Sequence, residues 1–348
     1  MSAATKPRPL VFGDTLGLVA PSGSTKDAKA VAKGVAALEK LGFKVLLGRS
    51  CLAERYGYLA AEDRLRASDI NDFFADPQVD GIVCFKGGYG TPRMLDLIDY
   101  SVVAANPKVF VGYSDITAIH LAFARFAGFP TIHGLMASSL AGKMDSFSRE
   151  SWLACLTSSR ALGELPYPQP KTVPPTAEAP LAAVASTVTA FTVQTEAAEP
   201  AGPCSLVPGR ATGILMGGNL SLVAALTGTP YALQPEGKIL FLEDVNEEPY
   251  RVDRMLTQLR LAGVFERCEG VVLGSWTHCE PEDPERSLTL LQVFKDVIAP
   301  CGKPVLMGFP AGHCLPTLSL PLGVEAVLDA DAGTLRVTEA ATSQQAAP

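Results

Sequence analysis

Short apolar runs alternate with longer runs of helical period along the first half of the chain, the signature of a parallel-sheet α/β architecture. TLGLVAPSG, Thr15 to Gly23, predicts a buried strand ending in a turn, and residues 27–42 predict an amphipathic helix stopped by Gly42. A strand follows at 44–48, a helix at 60–76, and a third strand at 79–85 that opens into the glycine loop KGGYG, Lys86 to Gly90. TPRMLDLID then predicts a helix with Thr91 as N-cap and Pro92 at the first helical position. Between Lys108 and Gly128 a β-branched run turns through Gly-Tyr-Ser-Asp into another helical pattern, which puts Ser114 on a strand-to-helix corner.

The pattern breaks between 163 and 208. PYPQPKTVPPTAEAP is Pro-rich and STVTAFTVQTEAAEPAGP is polar and weakly β-patterned, so this stretch reads as a linker with a hairpin at most. Alternation then resumes with strands at 238–245 and 270–276, helices at 249–263 and 287–302, and a strand at 304–312 ending in a second glycine loop. The expected organisation is α/β: a parallel-sheet domain at 1–162, the linker at 163–208, a smaller α/β domain at 209–340, and a loose tail at 341–348.

Composition narrows the function classes. Of the 348 residues 47% are apolar and 19% charged, which fits a globular chain rather than a disordered one. A formal charge of -7 argues against a phosphate-hugging surface, so nucleic acid is not an expected partner. The apolar N-terminal stretch is broken by Gly13 and Asp14 and lacks the core of a signal peptide, so a cytoplasmic protein is expected. No run reaches the ~20 apolar residues of a membrane helix. The eight cysteines are scattered without a C-x-x-C pair, and Cys279 beside His278 is the nearest approach to a ligand pair; neither a metal nor another cofactor is expected.

Ser114 has two readings. A strand-to-helix corner projects a side chain and offers the following amides to an oxyanion, as in a nucleophile elbow; a serine before a helix also simply caps it. Gly112 supplies half of a G-x-S-x-G pattern, and Ile116 stands where its second glycine would be. The GGYG loop fails the G-x-G-x-x-G dinucleotide pattern at Arg93, which leaves a tight turn or an oxyanion donor facing Ser114; a non-catalytic nucleotide-binding module is the competing class. Among the four histidines, His120 reads as packed core and His278 as solvated, leaving His313 and His133, each near a strand end, as candidate bases. Glu243 and Asp244 end an apolar strand, where a carboxylate needs a partner or exposure.

These segments together resemble the LD-carboxypeptidases, serine peptidases that include muramoyltetrapeptide carboxypeptidases and microcin C immunity peptidases. The resemblance rests on APSG, KGGYGTPRMLDLIDY, PKVFVGYSDITAIH, TIHGL, GGNLSLVAALTGTPY, LFLEDVNEEPYRVDRMLTQL and GFPAGHCLPTLSLPLG, in that order along residues 13–337. It implies a flavodoxin-like N-terminal domain carrying the serine and a C-terminal domain carrying the acid and base. It further implies Ser114 as nucleophile, Glu243 as acid, His313 as base, and the backbone N–H groups of Gly88 and Asp115 as oxyanion donors. A cytosolic homodimer acting on the L,D bond to a C-terminal D-alanine of murein tetrapeptides follows from the same likeness. The alternative is a microcin-type amide to a modified nucleotide. Two features set this chain apart: Lys86 stands where the family usually has arginine, and the Pro-rich stretch is longer than in the shortest members. Lys86 and Arg251 are the candidate cations for a substrate carboxylate.

Overall fold

Two sheets organise the chain in the computed structural model, which describes residues 6–25, 27–53, 57–142, 144–168 and 202–344. In chain order the strands are β1 (Thr15–Val19), β2 (Lys44–Leu47), β3 (Gly81–Cys84), β4 (Val109–Gly112), β5 (Thr131–His133), β6 (Gly163–Glu164) and β7 (Cys204–Val207). They continue with β8 (Arg210–Asn219), β9 (Lys238–Val245), β10 (Gly270–Thr277), β11 (Val305–Met307), β12 (Leu320–Leu322), β13 (Val324–Asp329) and β14 (Thr334–Val337).

The first sheet has the order β12-β5-β4-β3-β1-β2. Strands β1 to β5 are parallel, and β12 closes the edge antiparallel to β5. Strands β3 and β4 are buried at every position, as expected when helices cover both faces of a parallel sheet. After β2 the chain crosses to the opposite side of β1 to lay down β3, so the strand order reverses between β1 and β3. The loops after those strands therefore diverge and leave a crevice at their C-terminal ends, where α/β sheets of this order bind ligands.

The second sheet has the order β6-β14-β13-β8-β9-β10-β11-β7, with β8 to β11 parallel and antiparallel strands on both flanks. Both ends of the segment expected to be a linker are strands of this sheet: β6 pairs with β14 and β7 with β11. Edge pairing of backbone groups overrode their weak apolar pattern; the Pro-rich centre, 169–201, lies outside the described residues. The expected loose tail also begins too early. Ala341 and Thr342 are buried, Thr342 donates its hydroxyl to the Ser158 carbonyl, and the Ser343 amide bonds the Pro7 carbonyl, while 345–348 lie outside the described residues.

The two halves are stitched together. Strand β12 comes from the C-terminal half but belongs to the first sheet. The Asn219 amide donates to Thr117 Oγ1 at 3.0 Å, and a Cβ on Gly218 would sit 2.5 Å from that oxygen, so glycine permits the close approach. The Thr317 amide donates to Ser148 Oγ at 2.8 Å and the Ser319 amide to Ser151 Oγ at 2.9 Å.

Candidate active site

Ser114 follows β4 directly and adopts φ = 63°, one of three non-glycine residues with positive φ among those described. A serine in this sparsely populated region costs backbone energy and is held there by its surroundings. It opens a short 3-10 turn, Ser114–Ile116, that runs into the helix Thr117–Phe126. Neither helix start carries a side-chain cap hydrogen bond, so capping is not what this serine does here. Its side chain is half-buried, beside a loop that approaches closely: a Cβ on Gly87 would lie 2.9 Å from Ser114 Cβ and 3.0 Å from its Oγ.

Gly88 has φ = 125° and is exposed, so its backbone reaches the crevice without a side chain in the way. Asp115, whose amide follows Ser114, is buried, and its carboxylate faces inward. Thr91 is not the helix cap that its position suggests. Gly90 occupies the cap position of a 3-10 helix, Thr91–Leu97, and Thr91 Oγ1 donates instead to the Asp115 carbonyl at 2.5 Å. A nearby carbonyl in another segment competes successfully for the hydroxyl.

Glu243 lies on β9, paired in register with Asn219 of β8, and is fully buried. Its Oε2 meets His313 Nδ1 at 2.6 Å, a short charge-assisted contact, while Oε1 has no partner among the described residues. Burial pushes the Glu243 carboxyl above its ordinary range, which makes it a stronger acceptor for the Nδ1 proton. For His313 burial works against the imidazolium, but the Glu243 hydrogen bond and charge outweigh it and raise its pKa above 6.5. Thr277 Oγ1 donates to the His313 carbonyl at 2.8 Å and fixes the loop after β11. Glycine is required next to it, because a Cβ on Gly312, where φ = 117°, would stand 2.6 Å from Glu243 Oε2.

His313 packs against Tyr113, the residue before Ser114, with ring centroids 4.8 Å apart. Ser114 and His313 make no hydrogen bond here; such contacts commonly tighten only once substrate is bound. Tyr113 escaped sequence reasoning because its part depends on a ring from the other half of the chain.

The competing histidines are accounted for. His133 is buried between Tyr113 and Phe241, both ring nitrogens lack partners among the described residues, and burial holds its pKa well below 6.5. It ends β5, in register with Gly112 of β4 and Leu320 of β12, and is enclosed there without reaching solvent. His120 is core, with Nε2–H donating to the Gly112 carbonyl at 2.9 Å. His278 is exposed while Cys279 beside it is buried, so the two do not converge, and no metal-holding group of three such residues occurs among those described.

A cleft of about 640 Å3 opens beside the serine corner, lined by Gly23 and Ser24 after β1, by Gly57 and Tyr58, and by Lys86, Gly88 and Tyr89 after β3. Tyr58 and Tyr89 are exposed neighbours, their ring centroids 5.6 Å apart. Lys86 is therefore at the cleft. Arg251 is not among its lining residues; it is exposed on the helix Pro249–Leu261, with Glu247 at 3.7 Å and its Nε donating to the Tyr250 hydroxyl.

Residues 16–134 match the LD-carboxypeptidase N-terminal domain and residues 212–328 the LD-carboxypeptidase C-terminal domain. The chain is 38% identical to a probable murein peptide carboxypeptidase of Bacillus subtilis (strain 168), over 98% of this chain and 96% of that one. It is 33% identical to a murein tetrapeptide carboxypeptidase of Pseudomonas aeruginosa, over 84% of this chain and 86% of the relative. Among solved structures, the microcin C7 self-immunity protein MccF in complex with aspartyl sulfamoyl adenosine superposes with a TM-score of 0.81 at 25% identity, covering 97% of this chain and 99% of that one. With Ser114 inside the first domain match and Glu243 and His313 inside the second, in the family's order, the chain belongs to the LD-carboxypeptidase family.

Proposed function

We propose that this enzyme is a serine-type carboxypeptidase that hydrolyses the bond between an L-configured centre and a C-terminal D-amino acid, D-alanine in a murein tetrapeptide. The observation that supports this most is the buried 2.6 Å contact between Glu243 and His313, packed against Tyr113, which precedes a serine held in a left-handed corner. His313 Nε2 takes the proton of Ser114 as Oγ attacks the scissile carbonyl, and Glu243 holds the tautomer and stabilises the imidazolium that forms. The amides of Gly88 and Asp115 receive the oxyanion. The imidazolium then protonates the leaving amine, and water hydrolyses the acyl-enzyme by the reverse proton path.

For the substrate carboxylate, Lys86 is the better-supported of the two cations because it lines the cleft that Gly88 shares. A cytosolic location, a role in peptidoglycan recycling and a homodimer belong to the same proposal. The likeness to MccF bound to an aspartyl sulfamoyl adenosine supports a second reading, cleavage of an aminoacyl nucleotide analogue.

Purified protein incubated with a murein tetrapeptide is expected to release D-alanine, with or without a chelator, and Ser114→Ala is expected to abolish release. Turnover by Ser114→Ala at the parent rate would sink the nucleophile assignment. Faster turnover of an aminoacyl sulfamoyl adenosine than of the tetrapeptide would favour the second reading.

A further inference from the structure

The APSG segment, the GGYGT loop and the GYSD corner meet at one buried carboxylate that the proposed chemistry leaves unused. Asp115 Oδ2 accepts from Ser22 Oγ at 2.6 Å and from the Thr91 amide at 2.9 Å. Thr91 Oγ1 returns a hydrogen bond to the Asp115 carbonyl. Ser22 follows β1, Thr91 ends the glycine loop after β3, and Asp115 follows the serine after β4, so one side chain ties the ends of three adjacent strands. The other carboxylate oxygen has no partner among the described residues.

A second buried group ties two of the same loops from the preceding residues. Arg66, fully buried on the helix Asp63–Ala75, donates from one guanidinium nitrogen to the Pro21 and Gly90 carbonyls, and also bonds the Ala61 carbonyl and Asp63. Pro21 precedes Ser22 and Gly90 precedes Thr91. The Gly23 amide adds a bond to the Gly87 carbonyl at 3.3 Å. A Cβ on Gly88 would sit 3.2 Å from Gly23 Cα, so the loop seats directly on the APSG turn.

Electrostatics alone does not explain an acid here. A fixed carboxylate beside a developing oxyanion opposes that charge, so its presence must be offset by something else it does. Holding Gly88 within the tolerance of an oxyanion donor is such a task, since rate is steeply sensitive to the placement of reacting groups.

We infer that Asp115 and Arg66 form a two-sided clamp, acting through Ser22, Thr91, Pro21 and Gly90, that holds the glycine loop in oxyanion-binding register against Ser114. They are positioning residues, and this inference rests on the proposed serine chemistry. An oxyanion contact strengthens only in the transition state, so loosening it lowers kcat and leaves KM nearly alone.

The test measures D-alanine release from a murein tetrapeptide, and the rate of phosphonylation of Ser114 by a fluorophosphonate, in full-length Ser22→Ala, Thr91→Val and Thr91→Ser proteins, with thermal unfolding as the check on folding. Ser22→Ala and Thr91→Val are expected to lose about 30- to 100-fold in kcat and to slow phosphonylation, with KM within about twofold. Thr91→Ser, which keeps the hydroxyl, is expected within about threefold of the parent. Should Ser22→Ala fail to fold, the Thr91 pair decides alone. Equal kcat for Thr91→Val and Thr91→Ser, or a raised KM at unchanged kcat, overturns the clamp. If Ser114→Ala is inactive while the clamp variants match the parent, only the clamp falls; if Ser114→Ala is active, the serine chemistry beneath it falls.

Discussion

Replacing Glu243 with glutamine changes one charge and almost no volume. The carboxylate meets His313 Nδ1 at 2.6 Å in a site without solvent on the glutamate side. Charge centres roughly 4 Å apart interact by about 4 kcal/mol at an effective dielectric near 20, which is on the order of 10^3 in rate if the imidazolium forms in the transition state. The amide adds a second loss. Its NH2 can donate to Nδ1 and so favour the tautomer protonated on Nε2, which cannot accept the serine proton. The expected fall in kcat/KM is about 10^3- to 10^4-fold with unchanged thermal unfolding. The pH profile supplies an independent reading. In the parent, His313 titrates above 6.5, so activity rises with pH as the imidazolium loses its proton there. In Glu243→Gln the raising influence of the carboxylate is gone while burial remains, so the residual activity switches on at lower pH than in the parent. D-Alanine release followed from pH 5 to 9 measures both. A folded variant that loses less than tenfold, with an unshifted acid limb, would refute the part given to Glu243.

Three further outcomes follow from close contacts and burial. Gly87→Ala puts a methyl 2.9 Å from Ser114 Cβ, so the serine must move; fluorophosphonate labelling is expected to drop at least tenfold, and normal labelling would contradict the packing. Gly312→Ala combines φ = 117° with a methyl 2.6 Å from Glu243 Oε2, costing about 2 kcal/mol of stability and most of the activity; an unchanged Tm would contradict it. His120, held by burial to about 4 when folded and titrating near 6.5 when unfolded, lets the unfolded chain bind the extra proton between those values, so stability falls as pH falls from 6.5 to 4 by about 3 kcal/mol. Denaturant titrations should show a shallower acid slope in His120→Gln, and an identical slope would reject the assignment.

The first sheet was legible because each of its early strands is a short apolar run closed by Gly, Pro or Asp before a helical pattern begins. Strand β8 was not, since RATGILMGGN mixes polar and glycine positions whose suitability depends on neighbours β9 and β13. The flanking strands β6, β7 and β12 are two to four residues long, too short for any period to show. At the site, a corner such as GYSD announces the position of Ser114 but not its job. Glu243 and His313 lie 70 positions apart, and their pairing came from family likeness. Arg66 gave no signal at all: among Glu62, Asp63 and Arg64 it reads as one more solvated charge, and only the fold shows it fully buried.

Strand β12 has a consequence for how the molecule comes into being. The edge of the sheet that carries Ser114 is completed by Leu320–Leu322, only seven residues after His313 and almost 190 positions after β5. A ribosome must therefore release the chain through residue 322 before β5 gains its outer neighbour, and until then that edge is unpaired and open to wrong partners. The same short tether limits any hinge: swinging the second sheet away would pull β12 from the first, so the histidine and serine travel together. A chain wired this way completes the Ser114 sheet only after the His313 loop has been made, and a truncation that removes Leu320–Leu322 should disturb that sheet even though Ser114 lies about 200 positions earlier.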